Sequence, residues 1–269
     1  MYSSWPGGSG VTSNTRDLRL IRKMNSWDSC IARCRQLAET SSSTKELLTF
    51  YTSLLETQKH IYDSLQHLNG SLPQDLPELK KHLPALLELV RSTGPAALAT
   101  QAPASIDDLL IEYWHNRSDE AFFAKALVQP YARRLVESNS LSSLALRENQ
   151  CPFCLGKPQV SFLKGTDSTA DSGNRNLLCA TCLSSWEFRR VVCAACGEEQ
   201  PTHLGYFQSD EYPHVRIETC DSCKRYIKGV DLTRLGLAEP LVDDVATAAL
   251  DLWAVEKGYT KIELNLVGL

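Results

Sequence analysis

Cys151-Pro152-Phe153-Cys154, Cys179-Ala180-Thr181-Cys182, Cys193-Ala194-Ala195-Cys196 and Cys220-Asp221-Ser222-Cys223 decide the fold of the second half of this 269-residue chain. The first and third pairs lie 42 residues apart and the second and fourth 41; the pairs within each half are separated by 24 and 23 residues. This is an internal repeat of about forty residues, each unit reading C-x2-C, hairpin, C-x2-C. Each unit has the ligand number and spacing of one tetrahedral, all-thiolate metal site.

The physical reason is local. A tight knuckle offers two sulfurs to one ion while backbone N–H groups aim at those sulfurs and stabilise the thiolate charge. Pro152 inside the first pair, and Gly156 and Gly197 just after the first and third, suit such turns. A unit this short buries too little apolar surface to fold alone. Bound metal must supply the difference, about 10–16 kcal/mol for structural zinc in small peptides. One C-x2-C would also suit a redox thiol pair or a disulfide, whereas four in register favour metal. Sulfur-only tetrahedra accept zinc or a single iron, and spacing does not separate them. Similar loop lengths favour pairing within each half, with a cross-braced arrangement as the alternative. His203 and His214 are not needed, because eight sulfurs complete two tetrahedra.

Composition narrows the function. Met1 to Asn14 is rich in Ser and Gly and lacks a basic region followed by an apolar stretch, so no secretory signal is expected there. Ten cysteines without such a signal point to a reducing compartment, the cytoplasm. With 43% apolar and 22% charged residues and no run near the eighteen or so of a membrane span, no membrane insertion is expected. The net charge is −4 before any thiolate is counted. Four thiolates around a divalent ion add about two more negative charges per site. That balance argues against a zinc ribbon that grips nucleic acid, which needs clustered Lys and Arg. There is no Ser/His/Asp constellation, His-Glu-x-x-His or phosphate loop, so no enzymatic activity is expected.

Upstream of the cysteines the pattern is helical. Residues 1–15 read as disordered. From Arg16 to Glu39, Leu20, Met24, Trp27, Ile31 and Cys34 recur at helical spacing, with Cys30 and Cys34 read as packing residues. Ser43 and Glu46 suggest a capping box for a helix running to Leu68, closed by Asn69-Gly70. Pro73, Pro77 and Pro84 cut the next stretch into short helices, Pro84 fitting a first turn. Two more helices are expected at Ser105–His115 and Ser118–Glu137, the second bent or interrupted by Pro130. The segment 138–150 reads as a linker. After the repeats, Pro240 to Gly258 reads as one helix with an apolar stripe of Leu241, Val245, Ala248, Leu252 and Val255, and Lys261–Val267 as a terminal strand. The expected architecture is α+β: an N-terminal all-α helical bundle at 16–145, two tandem rubredoxin-like or zinc-ribbon four-cysteine modules at 146–190 and 191–235, and a C-terminal helix and strand at 236–269.

Several of these stretches resemble the formate dehydrogenase accessory proteins of the FdhE family. The likeness is carried by Cys151-Pro-Phe-Cys154, by the run from Leu178 through Cys179-Ala-Thr-Cys182 and Trp186 to Cys193-Ala-Ala-Cys196-Gly197, and by Tyr212 through Cys220-Asp-Ser-Cys223 to Asp231. Asp243-Asp244, Leu250-Asp251-Leu252-Trp253 and Gly258-Tyr259 match as well, as do Phe122-Phe123 and Gln129-Pro130-Tyr131 in the helical half. The resemblance implies a cytoplasmic, non-catalytic assembly factor that binds the immature catalytic subunit of a molybdenum-dependent formate dehydrogenase. It implies that Cys151, Cys154, Cys179, Cys182, Cys193, Cys196, Cys220 and Cys223 hold two ions, iron in rubredoxin-like sites being favoured and zinc the alternative. Leu155 departs from a glycine common after the first pair.

Around the last knuckle, Arg216, Glu218, Tyr226, Lys228 and Asp231 match family positions. They are candidates for partner contact, with an exposed ion pair beside the site as the alternative reading of Arg216, Lys228 and Asp231. Arg216 and Glu218 share one strand face. Trp186, Phe188 and Tyr226 read as packing over the metal sites. The competing functions are an iron-thiolate electron-transfer factor and, on weaker grounds, a nucleic-acid-binding zinc ribbon.

Overall fold

The computed structural model describes residues 26–103, 105–116, 122–138, 148–166 and 169–268. The N-terminal segment 1–15, the start of the helix expected from Arg16, and most of the 138–150 linker lie outside the described residues. The helical half consists of α1 (Trp27–Thr40), α2 (Lys45–Ser64), α3 (Leu72–Lys80), α4 (Leu83–Thr93), the single turn α5 (Ala96–Ala99), α6 (Ile106–Asn116) and α7 (Phe122–Glu137). Apolar residues at helical spacing face inward: Leu48, Tyr51, Leu54, Leu55 and Ile61 of α2 are buried, with Cys30 and Cys34 of α1 among them.

Local signals were partly overruled by tertiary partners. No capping box forms at Ser43: Thr44 is the residue before α2, and its N–H is bonded by Ser41 Oγ at 3.4 Å. Helix α2 stops at Ser64 rather than Leu68. Asn69-Gly70 is not its cap, because both N–H groups donate to the buried carboxylate of Asp75, at 2.8 and 3.2 Å, and so anchor α3. Pro77 lies inside α3, and α7 runs unbroken through Pro130. A proline at 130 deprives the carbonyl of residue 126 of its helical donor. Gln58 Nε2 from α2 supplies the replacement, donating to the Ala126 carbonyl at 3.0 Å.

The cysteine half is one antiparallel-dominated sheet. Its strands are β1 (Pro158–Thr166), β2 (Thr169–Cys179), β3 (Ser185–Glu187), β4 (Leu204–Gln208), β5 (Val215–Cys220), β6 (Arg225–Asp231) and β7 (Thr260–Lys261), in the order β3-β2-β1-β6-β5-β4, with β7 on β6. Each four-cysteine unit supplies its own antiparallel hairpin, β1/β2 in the first and β5/β6, flanked by β4, in the second. The units join where β1 runs parallel to β6, Val160 opposite Lys228 through Leu163 opposite Asp231. The architecture is α+β, with N-terminal helices, two tandem four-cysteine ribbons and C-terminal helices.

The C-terminal helix is broken in two, α8 (Pro240–Ala246) and α9 (Ala248–Glu256), at Thr247. The break follows from competition for carbonyls. Thr247 Oγ1 donates to the carbonyl of Asp243 at 2.7 Å, and the buried ammonium of Lys228 takes the carbonyl of Asp244. Both would otherwise accept the next helical N–H groups. The break rotates α9, so Leu241 and Val245 are buried while Leu252 and Val255 are about 60% exposed, against the single stripe expected. The terminal strand shrinks to Thr260–Lys261, although Ile262 and Leu266 are buried.

Candidate metal centres

The chain before and after each cysteine pair folds into the same small turn. Leu155, Leu183, Gly197 and Lys224 each directly follow the second cysteine of a pair, and each has a positive φ, between 54° and 80°. This left-handed step closes the knuckle. In the first and third, the N–H of residue 155 or 197 donates to the carbonyl of Cys151 or Cys193, at 3.0 Å in both. The other orphan N–H groups turn toward sulfur: Thr181 N–H and Cys182 N–H point at Cys179 Sγ (3.3 and 3.5 Å), and Ala195 N–H at Cys193 Sγ (3.4 Å). Leu155 therefore adopts the glycine-like conformation without being glycine.

Two closed groups of four sulfurs result: Cys151, Cys154, Cys179 and Cys182, and Cys193, Cys196, Cys220 and Cys223. The pairing runs within each half of the repeat, not across it. Cys151–Cys182 and Cys154–Cys179 sulfurs are 3.5 and 3.4 Å apart, and Cys193–Cys223 and Cys196–Cys220 are 3.7 and 3.8 Å apart. These separations are far beyond a disulfide bond of about 2.05 Å. They approach the edge of a sulfur tetrahedron around an ion at about 2.3 Å, which is about 3.8 Å. Burial pushes the Cys182 thiol well up and the Cys193 thiol to about 11, the latter despite the N–H groups of Ala195 and Cys196. Four sulfurs in contact cannot all ionise without a cation, and a divalent ion resolves that conflict. The donor set fits zinc or a single iron, and among the described residues no other group of three or more candidate ligands converges in this way.

The two groups differ in their surroundings. All four sulfurs of the first are buried; in the second, Cys196 is exposed and Cys223 half-buried. Gly156 and Glu198 hold equivalent places in the repeat, two residues after the knuckle. A Cβ on Gly156 would lie 2.9 Å from both Cys179 Sγ and Thr181 Oγ1, so the missing side chain lets the second knuckle close on the first. At Glu198 the carboxylate instead straps the outside of the site, accepting from Ser222 Oγ at 2.5 Å and from the N–H groups of Glu199 and Gln200 at 2.9 Å.

The five residues flanking the last knuckle divide by burial. Glu218 is buried between Arg175 (2.6 Å) and Arg216 (2.7 Å). Burial alone would push its pKa up, but the two guanidiniums outweigh it and hold the carboxyl below its usual range. Gly229 makes room for it, since a Cβ there would meet Glu218 Oε1 at 2.6 Å. Arg175 also donates to the carbonyls of Arg189 and Val192 at 2.9 Å, tying β2 to the third knuckle. Tyr226 donates to Asp251 at 2.8 Å. Lys228 is fully buried, ion-paired with Asp244 and Asp251; Lys261 completes the same cluster at 2.7 Å from Asp244. Lys228 is thus no part of an exposed ion pair. Only Arg216 and Asp231 keep partial exposure.

The aromatics are structural: Phe188 packs with Leu177, Val192, Ile227 and Ile262, and Trp186 Nε1 donates to the carbonyl of Glu148. His203 pairs with Glu198 and His214 with Asp243, outside both sulfur groups. Cys30 and Cys34 lie in the helical core, Cys34 Sγ donating to the Leu48 carbonyl. Sequence reasoning gave Gln129 no role beyond a family match. Its Nε2 donates to the carbonyl of Ala180, inside the second knuckle, and its Oε1 accepts from Gln58. Arg33 of α1, bidentate to Asp243, and Lys125 of α7, paired with Glu263, add two further ties between the halves.

The family model "FdhE, C-terminal domain" matches residues 191–267, which hold the whole second sulfur group, the buried Lys228 cluster and the C-terminal helices. A protein FdhE homolog of Aquifex aeolicus is 29% identical over 277 residues, spanning 92% of this chain and 97% of that one. Residues 191–267 carry an FdhE C-terminal domain. An FdhE homolog of Haemophilus influenzae is also 29% identical, over 74% of this chain and 65% of its own length. In fold, the crystal structure of the FdhE protein from Pseudomonas aeruginosa superposes with a TM-score of 0.67 over 91% of this chain and 96% of that one, at 24% identity. Among the described residues no helix of the chain is long and apolar enough to cross a membrane.

Proposed function

We propose that this protein is a non-catalytic accessory factor in formate dehydrogenase maturation, acting in the cytoplasm by binding the immature catalytic subunit of that molybdenum-dependent enzyme. The observation that carries the reading is the pair of closed four-sulfur groups built into one sheet and tied to a helical half, in a chain that carries an FdhE C-terminal domain. Each group holds one ion, iron by family resemblance, through its four cysteines. A bound ion supplies a cross-link between two knuckles that the short hairpins cannot hold together themselves. The buried network around Lys228 fixes α8 and α9 against the sheet, while the partly exposed Arg216 of β5 and Asp231 at the end of β6 offer charge-assisted contacts to the client. No hydrolytic or transfer chemistry is needed for this role.

The test is capture of the immature catalytic subunit by the full, anaerobically prepared chain. Capture that weakens in Arg216→Ala and Asp231→Ala, with metal content unchanged, supports the reading; absence of capture by the intact metal-loaded protein overturns it. Iron and zinc are separated by elemental analysis of the same preparation.

A further inference from the structure

Resting on the reading that both sulfur groups hold metal, we propose that the two sites have different tasks: the first keeps its ion permanently, and the second exchanges its ion with outside ligands. Three independent features divide them. The first is ligand exposure. Every sulfur of the first group is buried, the most open being Cys154 at 8%, whereas Cys196 is exposed and Cys223 half-buried. The second group therefore has an open edge at Cys196 and Cys223, where an incoming donor has the shorter way in.

The second feature is the shape beside those sulfurs. A groove of about 330 Å³ opens onto Cys196 and Cys223, walled by Asn149, Lys157, Arg225 and Ile262. Four thiolates around a divalent ion leave a net charge of about −2. Arg225, which also donates to the Lys261 carbonyl at 3.1 Å, and Lys157, which also pairs with Glu263 at 3.5 Å, lie at this edge and favour anionic chelating ligands, such as carboxylates or thiolates, there.

The third feature is how the repeat has diverged. Gly156 lets Cys179 and Thr181 close over the first site, and Gln129 bonds the carbonyl of Ala180 from the helical half. At the matching place in the second unit, Glu198 holds Ser222 from the solvent side. The second site is braced from outside rather than sealed.

The exchange step is a ligand substitution. The bond between Cys196 Sγ and the ion breaks with its electron pair staying on sulfur. A donor atom of the incoming ligand brings its own pair to the ion. No electron changes hands, and the released thiolate takes a proton from water.

The experiment loads the full chain with two equivalents of cobalt(II) and adds excess 4-(2-pyridylazo)resorcinol, following loss of the sulfur-to-cobalt charge-transfer band. The expected result is two phases of equal amplitude, the faster by roughly tenfold or more, the scale on which outer-sphere support acts on metal sites. In the wild type, N-ethylmaleimide should label Cys196 and Cys223 in step with the fast phase, as read by peptide mass spectrometry, and Cys196→Ser should remove that phase alone. Two equivalents leaving in one phase, or labelling of Cys151, Cys154, Cys179 and Cys182 first, overturns the division of tasks while leaving the metal reading intact. Binding of fewer than two cobalt ions per chain defeats the metal reading itself, and this inference with it.

Discussion

Gln129 donates from Nε2 to the carbonyl of Ala180 at 2.8 Å, so a helix of the N-terminal half holds a knuckle of the first sulfur site. The same glutamine accepts from Gln58, which also satisfies the carbonyl freed by Pro130. A chain of three bonds therefore links a proline in α7 to a cysteine pair. Gln129→Ala leaves the buried Ala180 carbonyl and one Gln58 proton without partners. It is expected to lower stability by about 1–3 kcal/mol and speed metal loss from the first site. Denaturant titration and cobalt release on the same variant check this; unchanged values in both would mean that the knuckle stands without the helix.

Gly156 is expected to tolerate no side chain. Because a Cβ there meets two non-flexible atoms at 2.9 Å, Gly156→Ala must push Cys179 or Thr181 outward. The prediction is reduced occupancy of the first site alone, with the second keeping its ion. Alanine in place of Glu198, the equivalent residue, meets no such wall and should instead loosen the second site through loss of the Ser222 bond. Metal-to-protein ratios of the two variants, against wild type, decide it.

Lys228 is the most consequential charge in the molecule. It is completely buried with Asp244 and Asp251, and its ammonium also holds the carbonyl at the break between α8 and α9. Burial works against the Asp244 carboxylate, yet the Lys228 and Lys261 charges bring it down to about 2. Lys228→Met leaves two carboxylates facing one remaining ammonium and should cost about 3–5 kcal/mol. Adding Asp251→Leu should restore part of that loss. A double variant no more stable than the single, by urea unfolding, would show that the lysine acts through the carbonyls rather than the ion pairs.

What was legible in the chain follows the range of the forces involved. The sulfur groups were legible because knuckle geometry is local: Cys179 and Cys182 need only the three peptide bonds between them and a left-handed residue after. Helices α1, α2, α6 and α7 were legible because their apolar spacing matches the helix period. Failures came where a distant side chain decided the outcome. Pro130 does not interrupt α7 because Gln58, 68 residues from Ala126, replaces the missing donor. The split at Thr247 depends on Lys228, and Asn69-Gly70 serves Asp75 rather than the helix before it. Glu218 and Lys228 read as surface charges because nothing in their neighbourhood announces Arg175 or Asp251. A run such as Lys228-Gly-Val-Asp231 does not disclose that the sheet surrounds its first residue.

Glu239 gives the protein a pH dependence of its own. It sits before α8, beside Cys30 of α1, whose Sγ is 3.9 Å from its carboxylate. Burial first, and the nearby Asp243 carboxylate second, raise it from 4.5 to about 7, against the opposing pull of Ser29, Cys30 and Arg33. A carboxyl raised on folding favours the protonated form, so its contribution to stability is fully present below about pH 4.5. That contribution is lost as pH climbs to about 7, and no further change follows above it. Glu239→Gln keeps a neutral, hydrogen-bonding side chain at every pH. The stability of Glu239→Gln minus that of wild type should therefore rise from about pH 4.5 to about 7 and then level off. Taking the difference removes the titrations of groups remote from residue 239, which both proteins share. A difference that stays flat across that window would place Glu239 in water, ionised in both folded and unfolded chains.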